Sequence, residues 1–279
     1  MKLLVGGHTD LHRHLAIEDA LLDRVEAWGP VLYFWRSRPA VVIGKNQNPW
    51  RECRVASLLA EGGCFGRRVS GGGAVYHDEG NLNVALFLRR DRYRAEVPYE
   101  IVLRALRRLG IAAERMGRTS MGVAGAKFSG NAFCFRRNAA MHHGTLLVNA
   151  DLERLHRYLT PSRNGFDTHA IRSEPAAVTN LASCGPRVEI DAVRCAIQEE
   201  CQATFEEGAE SIREEDIDGE ALRELEARHR SWAWQFGHTP PFEYRDGGGA
   251  RIFVERGKVT RAEGVAAGSR WRVGDRFDA

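Results

Sequence analysis

Residues 67–78 read Arg67-Arg68-Val69-Ser70-Gly71-Gly72-Gly73-Ala74-Val75-Tyr76-His77-Asp78, a run suited to holding an anion. Consecutive glycines let a backbone approach a bulky anion without a Cβ clash, and successive N–H groups can point at its oxygens. The two arginines add forked charges able to bind a carboxylate or phosphate through paired hydrogen bonds. A glycine-rich turn alone says little. The ordered combination of arginines, a hydroxyl, three glycines and an alternating Val-Tyr-His segment says much more.

A second constellation is Gly125-Ala126-Lys127-Phe128-Ser129-Gly130-Asn131-Ala132. Small neighbours allow the Lys127 ammonium to be held in a pocket, although a surface lysine in a glycine-rich hairpin fits this segment equally well. A fixed lysine beside an arginine and a glycine loop suits a doubly acidic ligand, such as a carboxylate meeting the α-phosphate of ATP. Charge that develops on the phosphoryl oxygens and the departing pyrophosphate is then stabilised by a preplaced cation and by N–H groups. The third constellation is Met141-His142-His143-Gly144-Thr145. Adjacent histidines on a strand face opposite ways, so only one can enter a given pocket, which argues against a metal pair. The default for such a histidine is a structural one bonded to a carbonyl.

The elements that must position these groups follow from periodicity. A strand is expected at residues 1–5, a helix at Leu11–Trp28, and strands at Val31–Trp35 and Ala40–Ile43. One helix is expected over 51–60. The arginine–glycine run then lies between strands at 64–69 and 74–77, with a further strand at 82–88. A helix over 97–109 ends at Gly110, and strands follow at 131–135 and 145–148. Amphipathic helices are expected at 191–205 and 215–229. After Pro240-Pro241 only one hairpin is visible, at 251–255 and 258–262.

With 279 residues the chain suits one large domain or one domain plus a small appendage. The expected division is a catalytic domain over 1–242 and a short truncated segment over 243–279. The net charge of +3 is too mild to indicate nucleic acid, and no apolar run is long enough to span a membrane. Six cysteines without a Cys-x-x-Cys pair read as reduced thiols in a cytoplasmic protein. His8, His12 and His14 lack the further ligands that a metal would need.

Taken in order along residues of about 1–265, these segments resemble the lipoate–protein ligase A family, within the wider lipoate/biotin ligase superfamily. Val41-Val42-Ile43-Gly44-Lys45-Asn46-Gln47-Asn48-Pro49-Trp50, Asn149-Ala150-Asp151-Leu152, Val178-Thr179-Asn180-Leu181 and Ser231-Trp232-Ala233-Trp234-Gln235-Phe236-Gly237 extend the likeness. The resemblance implies an α/β (α+β) fold, a mostly antiparallel curved sheet flanked by helices. It implies activation of lipoate with Mg2+ and ATP to lipoyl-AMP, then transfer of the lipoyl group to a lysine of an apo carrier domain. The carriers would belong to 2-oxoacid dehydrogenase complexes or be the glycine-cleavage H protein. Carried over by motif, Arg68, Gly73, Ala74, Val75, Tyr76 and Lys127 contact the nucleotide, with Lys127 bridging carboxylate and α-phosphate. Ser70, Gly71, Gly72, His77, Ser129, Gly130 and His143 line the lipoyl-adenylate pocket. Residues of about 165–181 correspond to the family's adenylate-binding loop. Metal ligands are not assigned.

Three departures stand out. Gly117-Arg118-Thr119-Ser120-Met121 replaces the Asn-Asp pair usual in the ligases, Cys134 stands where a basic residue is common, and the C-terminal part is shorter. These leave room for two other readings. One is a lipoyl transferase or amidotransferase without its own adenylation, with room for a second subunit in place of the missing part; the other is a non-catalytic lipoate- or adenylate-binding module. No cysteine lies between Cys64 and Lys127, where the octanoyl-transferring branch carries its nucleophile.

Overall fold

Strands that are apolar at every position must be covered on both faces, and Val31–Trp35 is such a strand, buried throughout. In a computed structural model, which describes residues 1–161, 163–185, 188–266 and 268–277, it lies inside an eight-stranded sheet. The strand order is Glu210–Ser211, Lys2–Val5, Val31–Trp35, Asn81–Arg89, Ala139–Leu147, Ala126–Phe135, Ser120–Val123 and Glu114–Met116. The first two pairings are parallel and the remaining five antiparallel. Leu32 and Phe34 point to a core shared with the helices Glu96–Arg108 and Ile190–Phe205. Val31, Tyr33 and Trp35 point the other way, towards the helix Leu11–Trp28, behind which Gly219–Arg230 packs. This is the expected mixed α/β architecture.

A second sheet of three strands carries the glycine run. Ala40–Ile43 pairs parallel with Cys64–Arg67 and antiparallel with Val75–His77. A third sheet joins Phe166–Thr168 to Phe242–Arg245, Arg251–Glu255 and Lys258–Glu263. Its aromatic cluster draws on Trp50 and Phe166 from earlier in the chain. The expected appendage over 243–279 includes residues 267, 278 and 279, which lie outside the described residues. Among the described residues no helix is long and apolar enough to cross a membrane.

Several expected bounds change: the strand expected at 145–148 is Ala139–Leu147 and the helix expected at 215–229 is Gly219–Arg230. The single helix over 51–60 is two, Pro49–Glu52 and Val55–Ala60, because Cys53 is extended (φ −154°) and the Arg54 amide donates to the Tyr158 carbonyl at 2.9 Å. The strand expected at 131–135 starts at Ala126 and so includes Lys127. A two-residue turn, Ala124-Gly125, precedes it with both φ angles positive. Alanine is a poor marker for such a turn, whose first central position usually carries Asn, Asp or Gly.

Six histidines are buried, His12, His14, His77, His142, His143 and His229, and four of them carry large shifts. Burial pulls His14 and His229 down to about 4, and His77 and His142 down to about 3. The unfolded chain therefore takes up protons first as pH falls below the ordinary histidine value of 6.5. Each group then removes about 1.4 kcal/mol of stability per pH unit until its folded pKa is reached. Urea denaturation at pH 7.5 and pH 5.0 should show a loss of several kcal/mol at the lower pH. An unchanged midpoint would contradict the neutral burial of these rings.

Candidate active site

The strand Cys64–Arg67 delivers two arginines to the glycine turn, and both serve as its scaffold. Arg67 is fully buried and faces carbonyls on two sides. Its Nη1 donates to the carbonyls of Lys45 (2.7 Å) and Gln47 (2.9 Å), its Nε to Gln235 (2.9 Å), and its Nη2 to Thr239 Oγ1 (2.9 Å). Arg68 curls over its own loop, with Nη2 donating to the carbonyls of Gly71 (2.6 Å) and Gly73 (2.8 Å) and Nε to Ser70 Oγ (3.0 Å). Burial lowers both guanidinium groups to about 10, so they stay charged at neutral pH. Gly72 has φ +88°, and a Cβ there would lie 2.9 Å from Arg68 Nη2. At Gly44 a Cβ would overlap the Gly72 carbonyl oxygen, so that glycine lets the 44–47 turn close against the loop.

Behind the loop lies a polar chain. His143 Nδ1 is 2.8 Å from Glu18 Oε2, and its Nε2 is 2.6 Å from Ser70 Oγ. Glu18 Oε1 also accepts from Trp35 Nε1 at 3.0 Å. A carboxylate accepts only, so the proton of a neutral His143 is assigned to Nδ1 and its Nε2 accepts from the Ser70 hydroxyl. His142 faces the opposite side of the strand, with Nε2 3.0 Å from Asn131 Oδ1. His77 lies edge-on to Trp35 at 5.3 Å, and neither of its ring nitrogens has a partner among the described residues. Glu18 and Trp35 were not singled out from the sequence. The signal for Glu18 was available: it lies on the apolar stripe of Leu11, Leu15, Leu22 and Val25.

In front of the loop a cavity of about 370 Å³ is lined by Ala74, Val75, Tyr76, Lys127, Ser129 and Gly130, together with the Lys127 neighbour Phe128 and the helix Leu152–Leu159. Arg51, His156 and Arg172 line it as well, and sequence reasoning missed all three. The Lys127 ammonium stands over Gly130, where a Cβ would meet Nζ at 3.2 Å. Burial lowers the Lys127 pKa below its ordinary value; Glu174 opposes this shift and Arg68 adds to it. Segment 165–181 closes one wall. The Lys127 amide donates to the Ala177 carbonyl (2.8 Å), and the Thr179 amide donates to the Lys127 carbonyl (2.9 Å). Arg68, Ser70, His77 and His143 are buried behind the loop, and neither they nor the partly or fully exposed Gly71, Gly72 and Gly73 line this cavity. The turn meets the cavity wall at Gly73, where a Cβ would lie 3.2 Å from Ser173 Oγ.

The sequence profile of the lipoyl protein ligase A/B catalytic domain matches residues 10–202. The chain belongs to that family. P. falciparum LipL1, solved in complex with lipoate, is 25% identical, with a TM-score of 0.77 over 94% of this chain and 83% of its own. A lipoate-protein ligase A bound with ATP is 26% identical, with a TM-score of 0.72 over 84% of this chain and 97% of its own. Protein Ta0514 from T. acidophilum, with bound lipoic acid, is 25% identical, with a TM-score of 0.71 over 85% of this chain and 98% of its own. In this lipoyl ligase-family chain the departing stretch 117–121 forms a hairpin edge. Its Thr119 carbonyl accepts from the Asn131 amide at 2.7 Å, and it carries no carboxylate. Cys134 remains a partly buried thiol whose pKa is raised by burial.

Proposed function

We propose that this chain is a lipoate–protein ligase that forms lipoyl-AMP and passes the lipoyl group to a lysine of a carrier domain. The observation carrying the proposal is the shared cavity: the Lys127 side chain and the Ala74–Tyr76 exit of the triple-glycine turn line one space. The Glu18–His143–Ser70 chain lies behind the same turn. In this reading a carboxylate oxygen of lipoate attacks the α-phosphorus of ATP, and the bond to the β-phosphate oxygen breaks with pyrophosphate leaving. Lys127 neutralises charge on the carboxylate and the α-phosphate as that bond forms. The layer of Trp35, His77, Ser70, Gly71, Gly72 and His143 receives the acyl chain. Backbone groups from Gly73 to Tyr76 and the charge of Arg68 hold the nucleotide side. In the second step a neutral lysine amine of the carrier attacks the acyl carbonyl, the C–O bond to phosphate breaks, AMP departs, and the new amide loses a proton to solvent.

Magnesium in such a site would arrive on the nucleotide phosphates. Among the described residues no three His, Cys, Asp or Glu side chains converge as a cage, and Mg2+ commonly takes only one or two carboxylates besides phosphate. The acceptors in this reading are lipoyl domains of 2-oxoacid dehydrogenase complexes or the glycine-cleavage H protein. The missing carboxylate at Thr119-Ser120 favours, as a second reading, a transferase that accepts preformed lipoyl-AMP.

Lipoate-dependent ATP–pyrophosphate exchange by the full chain tests the first reading. Absence of exchange together with transfer from supplied lipoyl-AMP to an apo carrier domain would replace it with the second. Absence of both would leave a binding module.

A further inference from the structure

Glu18, His143 and Ser70 stand in the order that activates a hydroxyl for attack. Glu18 Oε2 is 2.8 Å from His143 Nδ1, and His143 Nε2 is 2.6 Å from Ser70 Oγ. With the imidazole proton on Nδ1, Nε2 takes the hydroxyl hydrogen. Arg68 Nε donates to the same Oγ at 3.0 Å. A hydroxyl oxygen has two lone pairs, so one is left for a carbon electrophile. The buried guanidinium offsets the negative charge that grows on oxygen as the proton leaves. Nucleophile, base and orienting carboxylate are thus bonded in series, as covalent acyl transfer requires.

The surroundings fit the same chemistry. The amides of Gly71, Gly72 and Gly73 follow the hydroxyl directly, and none has an acceptor among the described residues. Such N–H groups suit the oxyanion of a tetrahedral intermediate. A Cβ on Gly71 would meet nothing within 4 Å, so the turn is open beside Ser70. Thr145 lies two residues past His143 on one face of its strand, a step of about 7 Å. A Cβ on Gly130 would meet Lys127 Nζ at 3.2 Å and Thr145 Oγ1 at 3.9 Å. The ammonium therefore shares the face of the sheet that carries the imidazole, about one such step away.

We infer that the chain also carries an acyl-transfer activity that needs no nucleotide. Ser70 is its nucleophile, His143 its base and Glu18 the positioning residue that holds the imidazole. The substrates are activated esters or thioesters of apolar carboxylic acids. Ser70 Oγ bonds to the acyl carbon while its proton passes to His143 Nε2. The bond from that carbon to the leaving oxygen or sulfur then breaks, and the leaving group takes the proton from His143. In the second half the same base takes a proton from water, whose oxygen bonds to the acyl carbon. Ser70 Oγ leaves, regains the proton, and the free acid departs. The inference shares its pocket with the ligase reading but none of the phosphate chemistry.

The test mixes the full chain with p-nitrophenyl octanoate in the absence of ATP. Nitrophenol should appear in a burst of about one equivalent per chain, and peptide mass mapping should place one octanoyl group on Ser70. Ser70→Ala should lose both burst and adduct, and His143→Gln should slow acylation about 10²–10⁴-fold. Glu18→Gln should lower kcat for the ester roughly 10²-fold or more while leaving KM within about twofold, a split that a general loosening of the pocket would not give. A parent chain without the adduct, or a Ser70→Ala chain that turns the ester over at the parent rate, overturns the inference. Should the alanine variant fail to fold, a fluorophosphonate applied to the parent must label Ser70, and failure to label it overturns the inference equally. Ester turnover without lipoate-dependent exchange supports this activity and removes the ligase reading. Exchange without ester turnover does the reverse.

Discussion

Lys127→Ala should lower lipoate-dependent pyrophosphate exchange by roughly 10²–10³-fold, the loss typical when one preorganised group stabilising transition-state charge is removed. The drop should fall mainly on kcat, because charge grows on the α-phosphate oxygens only as the new bond forms. The fold should be almost unaffected. The Lys127 backbone stays tied to Ala177 and Thr179, and the ammonium itself is disfavoured by burial. The unfolded chain holds that proton to higher pH than the folded one, so the side chain costs stability at neutral pH and the cost fades as pH rises. The urea midpoint of the alanine variant should therefore equal or slightly exceed that of the parent. Exchange by the parent should also fall on the alkaline side before an ordinary lysine would titrate, and Lys127→Arg should move that limb outward. Undiminished exchange by Lys127→Ala would show that the lysine takes no part.

Arg67→Met should have the largest effect on stability. The methionine fills much of the same volume but leaves the carbonyls of Lys45, Gln47 and Gln235 and the Thr239 hydroxyl without the donor that joins them. Removing one side of a buried charged network costs about 3–5 kcal/mol. In a chain of this size that lowers the melting temperature by an amount of the order of 10 °C. Arg67→Lys should recover little, since a single ammonium cannot reach acceptors on opposite sides. Scanning calorimetry checks both variants. A methionine variant that melts within about 2 °C of the parent would show that the arginine is dispensable to the fold.

Much of the frame was legible because it rests on local pattern. Leu11–Trp28, Val31–Trp35 and Ala40–Ile43 appear at the expected residues, since long apolar runs bounded by Asp10, Gly29, Pro39 and Gly44 leave few alternatives. The opposed directions of His142 and His143 follow from strand geometry alone. What the pattern could not supply was partnership. Arg67 and Arg68 carry the charge of an anion site, yet protein carbonyls take most of their donors, those of distant segments for Arg67 and those of its own glycine turn for Arg68, and spacing does not reveal this. The break at Cys53 depends on Tyr158, about a hundred residues away. Arg51, His156 and Arg172 reach the cavity from short helices and a loop, where spacing carries no directional information.

Glu18 and Asp19 are neighbours on one helix, so their side chains leave its axis about 100° apart. Glu18 is gripped by His143 and Trp35 on the side of the glycine turn. Asp19 is gripped on the other by Arg136 and Arg228, with His229 at 3.5 Å. The helix is thereby locked against rolling as well as sliding. The azimuth of the carboxylate that orients His143 is set in part by two arginines that never approach the chemistry, so a change at Arg136 or Arg228 would be felt first as a tilt of the imidazole.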